Sequence, residues 1–192
     1  MNKTLKDLSY GLSTPKDLLG KLKFDAEQLK EDQHPYKIFN FIVTAGALAE
    51  WTIKYYHLKK NNPVLYQAFR SKKYEDRKLF PDEAYAWLKN TPNLPQPKER
   101  AKLHIQTCIQ ACYSIYTASK HVHWASSNAK ITAIEDEPIV GNWYQYFFTG
   151  FDKGVYIEVD SAAYSLFEIA AVLNAFYGHL FPFLELQKNS DE

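Results

Sequence analysis

The densest run of reactive side chains lies at Ser119, Lys120, His121, Val122, His123 and Trp124, the end of a stretch, residues 100–124, with helical patterning. A histidine titrates near neutrality and serves as general acid or base, and a neighbouring lysine adds a fixed positive charge that suits a phosphate. At about 100° per residue, Ile105, Cys108, Ile109, Cys112, Ile115, Tyr116, Ser119, Val122 and His123 share one stripe. Gln106, Gln110, Ser114, Thr117 and His121 lie on the opposite, polar side. The helical phase therefore separates the two histidines. It leaves Lys120 and His121 as the outward pair, the candidate catalytic residues, and puts His123 at the core edge. The plainer alternative is a buried, satisfied His123 beside a solvated Lys120. A Ser119–His123 nucleophile pair has no acid identified to orient its histidine.

A second polar set interrupts residues 36–60, YKIFNFIVTAGALAEWTIKYYHLKK. Asn40, Thr44 and Glu50 stand among apolar residues there, with His57 further on. Buried polar groups demand partners, and Lys120 and any charged histidine are the cations near the end of the long helix. Glu50 or Asn40 is thus expected to meet Lys120 or His121 in space, and Asn40, Thr44 and Glu50 are candidate binding residues, with a structural hydrogen-bond network as the alternative. A third set is basic. Lys54, Lys59, Lys60, Arg70, Lys72, Lys73, Arg77 and Lys78 face only Glu75 and Asp76 over residues 54–78. Arg70, Lys72 and Lys73 are candidate phosphate-binding residues; a solvated surface answering the acidic half of the chain is the alternative.

His104, Cys108 and Cys112 follow each other at intervals of four, yet eight residues of helix rise about 12 Å, too far for one ion. No metal site is expected, and the thiols read as small core groups. A glycine-rich phosphate loop, paired zinc cysteines, HExxH and GxSxG are all absent from the 192 residues. No cofactor is implied.

The elements that must hold these residues follow from punctuation and periodicity. Residues 1–13 read as a loose arm. Ser13, Thr14 and Pro15 start an amphipathic helix to about residue 30. Residues 36–60 form a second helix, apolar nearly all round and so expected to be central. A short basic helix over 63–80, another from residue 81 to about 89, and a proline-stiffened connector lead to the long helix. Beyond it the period changes. Residues 130–135, 143–148 and 155–159 are strand-like, the last two as a hairpin, within a β insert over 129–160. Asp160 and Ser161 cap a last helix from residue 162 to about 187. It is long and apolar, but Glu168, Asn174, His179 and Pro182 favour a bundle helix over a membrane span. The predicted fold is mainly α, a single domain of about four to six helices with a small antiparallel β-meander before the C-terminal helix.

Hydrophobic residues make up 46% and charged residues 23%, ordinary globular values that exclude extended disorder. Net charge is +1, but residues 1–104 hold 19 Lys and Arg against 12 Asp and Glu, and residues 105–192 hold 4 against 10. The polar N-terminus lacks a secretory signal pattern and the two cysteines make no disulfide framework, so a cytoplasmic setting is expected.

At Asn40, Phe41, Ile42, Val43, Thr44 and Ala45, with Glu50 and Trp51, and again at Ser119, Lys120 and His121, the chain resembles an uncharacterised bacterial family. That family pairs an NFxVTA…(D/E)W helix with an NGSKH-like helix end, a small β-meander and a last helix. Here Thr117 and Ala118 stand where its pattern has asparagine and glycine. More loosely, a helical bundle with a basic and histidine-bearing site resembles HEPN-like domains, many of them in toxin–antitoxin and phage-defence systems. Their signature is an arginine, four to six residues and a histidine; Arg100 and His104 enclose three. The resemblance implies a helical architecture and a nucleic-acid-directed role, with RNA as partner. A non-enzymatic protein that dimerises or binds a protein partner, and a small-molecule binder with an aromatic pocket, are the alternatives.

Overall fold

The computed structural model describes residues 11–70, 80–82, 84, 98–121, 131–135, 155–159 and 162–190. As expected, the protein is mainly helical, with a small antiparallel sheet before the last helix. Helix α1 spans Pro15–Glu31. Thr14 is its N-cap and Asp17 completes a capping box, with Pro15 in the first turn, where its missing N–H costs nothing. Its Leu18, Leu22, Ala26 and Leu29 recur at helical spacing and are buried.

Helix α2 (Pro35–Tyr55) starts after a three-residue connection, with the His34 ring accepting the Tyr36 N–H. It does not run to residue 60 as the pattern predicts. His57 adopts φ +49°, a left-handed conformation that ends the helix without a glycine, and a single turn, α3 (Leu58–Asn61), follows. Histidine is among the residues that tolerate this region best. Asn62 then caps α4 (Pro63–Arg70), its Oδ1 accepting the Leu65 N–H at 3.0 Å, with Pro63 first in the helix. Nor is α2 apolar-buried all round: Tyr36, Phe39 and Asn40 are exposed.

Helix α5 (Lys98–His121) packs along α2. Its predicted core stripe of Ile105, Cys108, Ile109, Cys112 and Ile115 is buried, but so are Gln106, Gln110 and Ser114 on the side expected to face water. The reason is that α5 packs on α2, α4 and α6 together. Gln106 Nε2 donates to the Ala68 carbonyl of α4, which satisfies the nitrogen end of its amide. Helices α2 and α5 cross at Gly46, where a Cβ would stand 2.3 Å from Tyr116 Cβ and 2.7 Å from the Cys112 carbonyl oxygen. Only glycine permits this approach.

Strands β1 (Ile131–Glu135), β2 (Tyr156–Val159) and β3 (Ala162–Ser165) form an antiparallel sheet in that order. Strand β3 occupies residues the sequence assigns to the last helix. Val159 pairs with Ala162 and Tyr156 with Ser165, so the hairpin partner of β2 is β3; residues 143–148, the expected partner, lie outside the described residues. Helix α6 (Leu166–Ser190) accordingly begins four residues late, and Ser165 accepts the N–H of Phe167; Asp160 and Ser161, the expected caps, lie outside the described residues. Among the described residues α6 alone is long and apolar enough to cross a membrane; its buried face packs on α1 and α5. An aromatic cluster joins the layers, with Phe80 edge-on to Phe69 and tilted against Phe176.

Candidate functional site: a basic groove beside the α2–α3 break

The break at His57 has a geometric consequence. It turns the chain so that residues from the end of α2, from α3 and from α4 border one open groove. Glu50, Ile53, Lys54, His57, Lys59, Lys60, Tyr66 and Arg70 line it, and it encloses about 620 Å³. Glu50 and Lys54 share a helix face four residues apart and are ion-paired. The second oxygen of Glu50 accepts the Tyr116 hydroxyl from α5 at 3.1 Å. Glu50 is largely buried, whereas Lys54 is 72% exposed. Arg70 is anchored from the same helix, its Nη1 donating to the Tyr113 hydroxyl at 2.6 Å.

Four permanent cations therefore face one carboxylate that is already engaged. Lys59 and Lys60 are exposed and have no acidic partner among the described residues. A concave surface with this imbalance focuses positive potential and recruits anions. Ile53 and Tyr66 add an apolar and an aromatic surface within the same groove.

The residues singled out from the sequence separate. Glu50 and Arg70 line the groove. Thr44 does not: it is buried against α1, where its hydroxyl donates to Asp25 Oδ2 at 2.6 Å and accepts from Lys21 Nζ at 2.7 Å. Lys21 also pairs with Asp25, closing a three-membered polar cluster between α1 and α2. Asn40, expected to be buried, is exposed and sits ten residues from Glu50, about 15 Å along the axis. Asn40, Thr44 and Glu50 thus do not form one set. Lys120 and His121 are the last residues of α5, one turn beyond Tyr116, and their side chains lie outside the described residues, as do Lys72 and Lys73. Ser119 donates to the Tyr116 carbonyl.

His104 is remote from the groove's lining. Its Nε2 lies 3.2 Å from Glu168 and its ring is tilted against Tyr164, at the junction of α5, β3 and α6. Burial pushes the Cys112 thiol up to about 12 and the Cys108 thiol well above its usual range. Both are poor metal ligands in that state, and no group of three or more His, Cys, Asp or Glu able to hold a metal occurs among the described residues. The chain matches no protein-family model, no curated protein and no solved structure.

Sequence reasoning missed Tyr66, Tyr113 and Tyr116. Tyr66 and Tyr113 were read only as two of 14 tyrosines, and Tyr116 only as a member of the core stripe. A usable signal existed for Tyr113 and Tyr116, which stand within two turns of the candidate helix end.

Proposed function

We propose that the protein binds single-stranded RNA through the groove bordered by α2, α3 and α4. The observation that carries this reading is the convergence of Lys54, Lys59, Lys60 and Arg70 on one concave surface that also holds Tyr66. Cations that track a phosphate backbone, combined with an aromatic face on which a base stacks, are the chemistry of sequence-tolerant single-strand binding. The loose HEPN-like resemblance supports the same partner class and a role in defence. Lys120 and His121, at the end of α5, are the candidate catalytic pair in this reading.

The test is RNA binding followed by fluorescence anisotropy across about 50–200 mM salt. Four phosphate contacts give a log–log slope of about −3 for a single strand, and Lys60→Gln and Arg70→Gln should each flatten it by about 0.7. Absent binding, or affinity that neither salt nor these substitutions change, refutes the reading. If cleavage accompanies binding, it should disappear in His121→Ala; cleavage that survives removes His121 from catalysis.

The exposed Tyr36 and Phe39 in the first turns of α2 favour the second reading, an interaction protein. That reading requires a dimer or a partner complex that Tyr36→Ser and Phe39→Ser dissolve, without any effect of salt on RNA.

A further inference from the structure

On the other side of the single turn α3 lies a second, smaller depression. Tyr56, Leu58, Asn61, Asn62, Leu184, Gln187 and Lys188 line it, and it encloses about 260 Å³. That is below the roughly 300–1,000 Å³ of pockets for drug-sized ligands, and it suits one heteroaromatic ring system. Its walls are mixed in a specific way. Tyr56, Leu58 and Leu184 are buried apolar groups, whereas three side-chain amides, Asn61, Asn62 and Gln187, supply the polar edge beside Lys188.

The hydrogen bonds fix what those amides present. Asn61 Nδ2 donates to the Tyr56 carbonyl, which can only accept, so its oxygen and nitrogen are assigned. Asn61 Oδ1 and the second N–H of its amide have no partner among the described residues. Asn62 is consumed differently: its Oδ1 caps α4, and its Nδ2 donates to Gln187 Oε1 at 3.3 Å. Gln187 keeps its Nε2 as a donor. Asn61 thus offers one acceptor beside one donor. An adenine presents the complement, the N6 amino group beside N7, and an asparagine or glutamine amide recognises that edge with two bonds.

Lys59 and Lys60 of the same turn line the basic groove, so phosphate-binding and amide-lined surfaces flank one helical turn about 10–12 Å across. That is within reach of a nucleotide or two of a flexible strand. We infer that the amide pocket is a base-reading subsite that takes an unstacked adenine of the RNA whose backbone lies in the groove. The inference rests on the RNA-binding reading and adds selectivity to it.

The experiment compares full-length protein binding to oligo(A), oligo(C) and oligo(U) RNA of equal length. The wild type should bind oligo(A) about tenfold more tightly than oligo(U), in line with one bidentate base contact. Asn61→Ala should bring oligo(A) down to the oligo(U) affinity and leave oligo(U) unchanged. Asn61→Asp, which keeps the acceptor and loses the donor, should move preference toward oligo(C), whose N4 amino group donates. Lys60→Gln should weaken all three oligomers alike. Gln187→Ala, on an exposed position of α6, should also reduce the preference and serves if an Asn61 variant fails to fold. Equal binding of all oligomers by the wild type, or a preference that survives Asn61→Ala and Gln187→Ala, overturns the base subsite while leaving the groove reading intact. Failure to bind any oligomer overturns the groove reading and this inference with it.

Discussion

Replacing Gly46 by alanine tests the packing that brings Tyr116 to Glu50. In an unobstructed helix the substitution stabilises by about 1 kcal/mol, because alanine loses less backbone entropy. At Gly46 the new Cβ meets Tyr116 Cβ at 2.3 Å and the Cys112 carbonyl oxygen at 2.7 Å, where ordinary contact begins at 3.4 Å. Neither obstacle is the free end of a side chain, so α2 and α5 must separate by about 1 Å at the crossing. Overpacking of this kind costs about 1–3 kcal/mol, occasionally more. A gap of 0.5–1 Å also forfeits about a quarter to a half of each dispersion well along the interface. The net expectation is a loss of about 2–4 kcal/mol, or roughly 5–15 °C in Tm for a chain of this size. Circular dichroism melts and urea unfolding measure it. Gly20→Ala and Gly178→Ala are the controls: both positions are helical with nothing within 4 Å of the added Cβ, and each should gain up to about 1 kcal/mol. A Gly46→Ala protein as stable as the wild type, with both controls behaving as described, would refute the close crossing.

Four further outcomes follow from described contacts. Thr44→Val removes a donor from the buried Asp25 carboxylate and should cost about 1–3 kcal/mol in urea unfolding; a neutral result would show that Lys21 alone satisfies Asp25. The Ser13 N–H, then the hydroxyl and N–H of Thr14, hold the Asp17 carboxyl below its usual 3.8. A depressed folded-state pKa contributes stability above the unfolded value that disappears as pH falls through the folded one. Asp17→Asn should therefore be less stable than the wild type at neutral pH, with the difference shrinking as pH falls below 3.8 and through the lowered folded-state value; a difference that persists unchanged at low pH contradicts the capping account. Cys108 and Cys112 should resist a thiol reagent at pH 8 in the native protein and both react on denaturation; labelling at free-thiol rates would contradict their burial. The Tyr177 hydroxyl is fully buried with no hydrogen-bond partner among the described residues, so Tyr177→Phe should be neutral or stabilising by up to about 2 kcal/mol, and a clear loss would reveal a hidden partner.

The helical class was readable because capping and periodicity are local. Ser13, Thr14 and Pro15 announce α1 within three residues, and the core stripe of α5 needs only the helical repeat. What failed depended on neighbours. Gln106, Gln110 and Ser114 look solvent-facing along their own helix and become buried only because α4 and α6 close on α5. Residues 162–165 carry a helix-like composition, yet β2 offers them an open edge and a backbone ladder, and pairing wins over propensity. The turn at His57 contains neither glycine nor proline, so nothing local marked it. That omission hid the groove, since Lys59 and Lys60 join Lys54 and Arg70 on one surface only after the break. The basic excess of this region was visible in composition; its concavity was not. Thr44 was correctly marked as needing a partner, but that partner proved to be Asp25 and Lys21 on α1.

The cluster of Lys21, Asp25 and Thr44 also limits how the first two helices can slide. Leu18, Leu22 and Leu29 on α1, and Phe41, Ala45 and Leu48 on α2, are buried apolar surfaces whose attraction carries no direction of its own, and a slip of one turn along the axis is about 5.4 Å. Such a slip would carry Asp25 away from Thr44 and leave a buried carboxylate short of a donor. Burial is non-directional, whereas these hydrogen bonds permit one alignment. Three polar atoms thus pin the register of α1 on α2, and through α2 they bear on where Glu50, Lys54 and the turn at His57 come to rest.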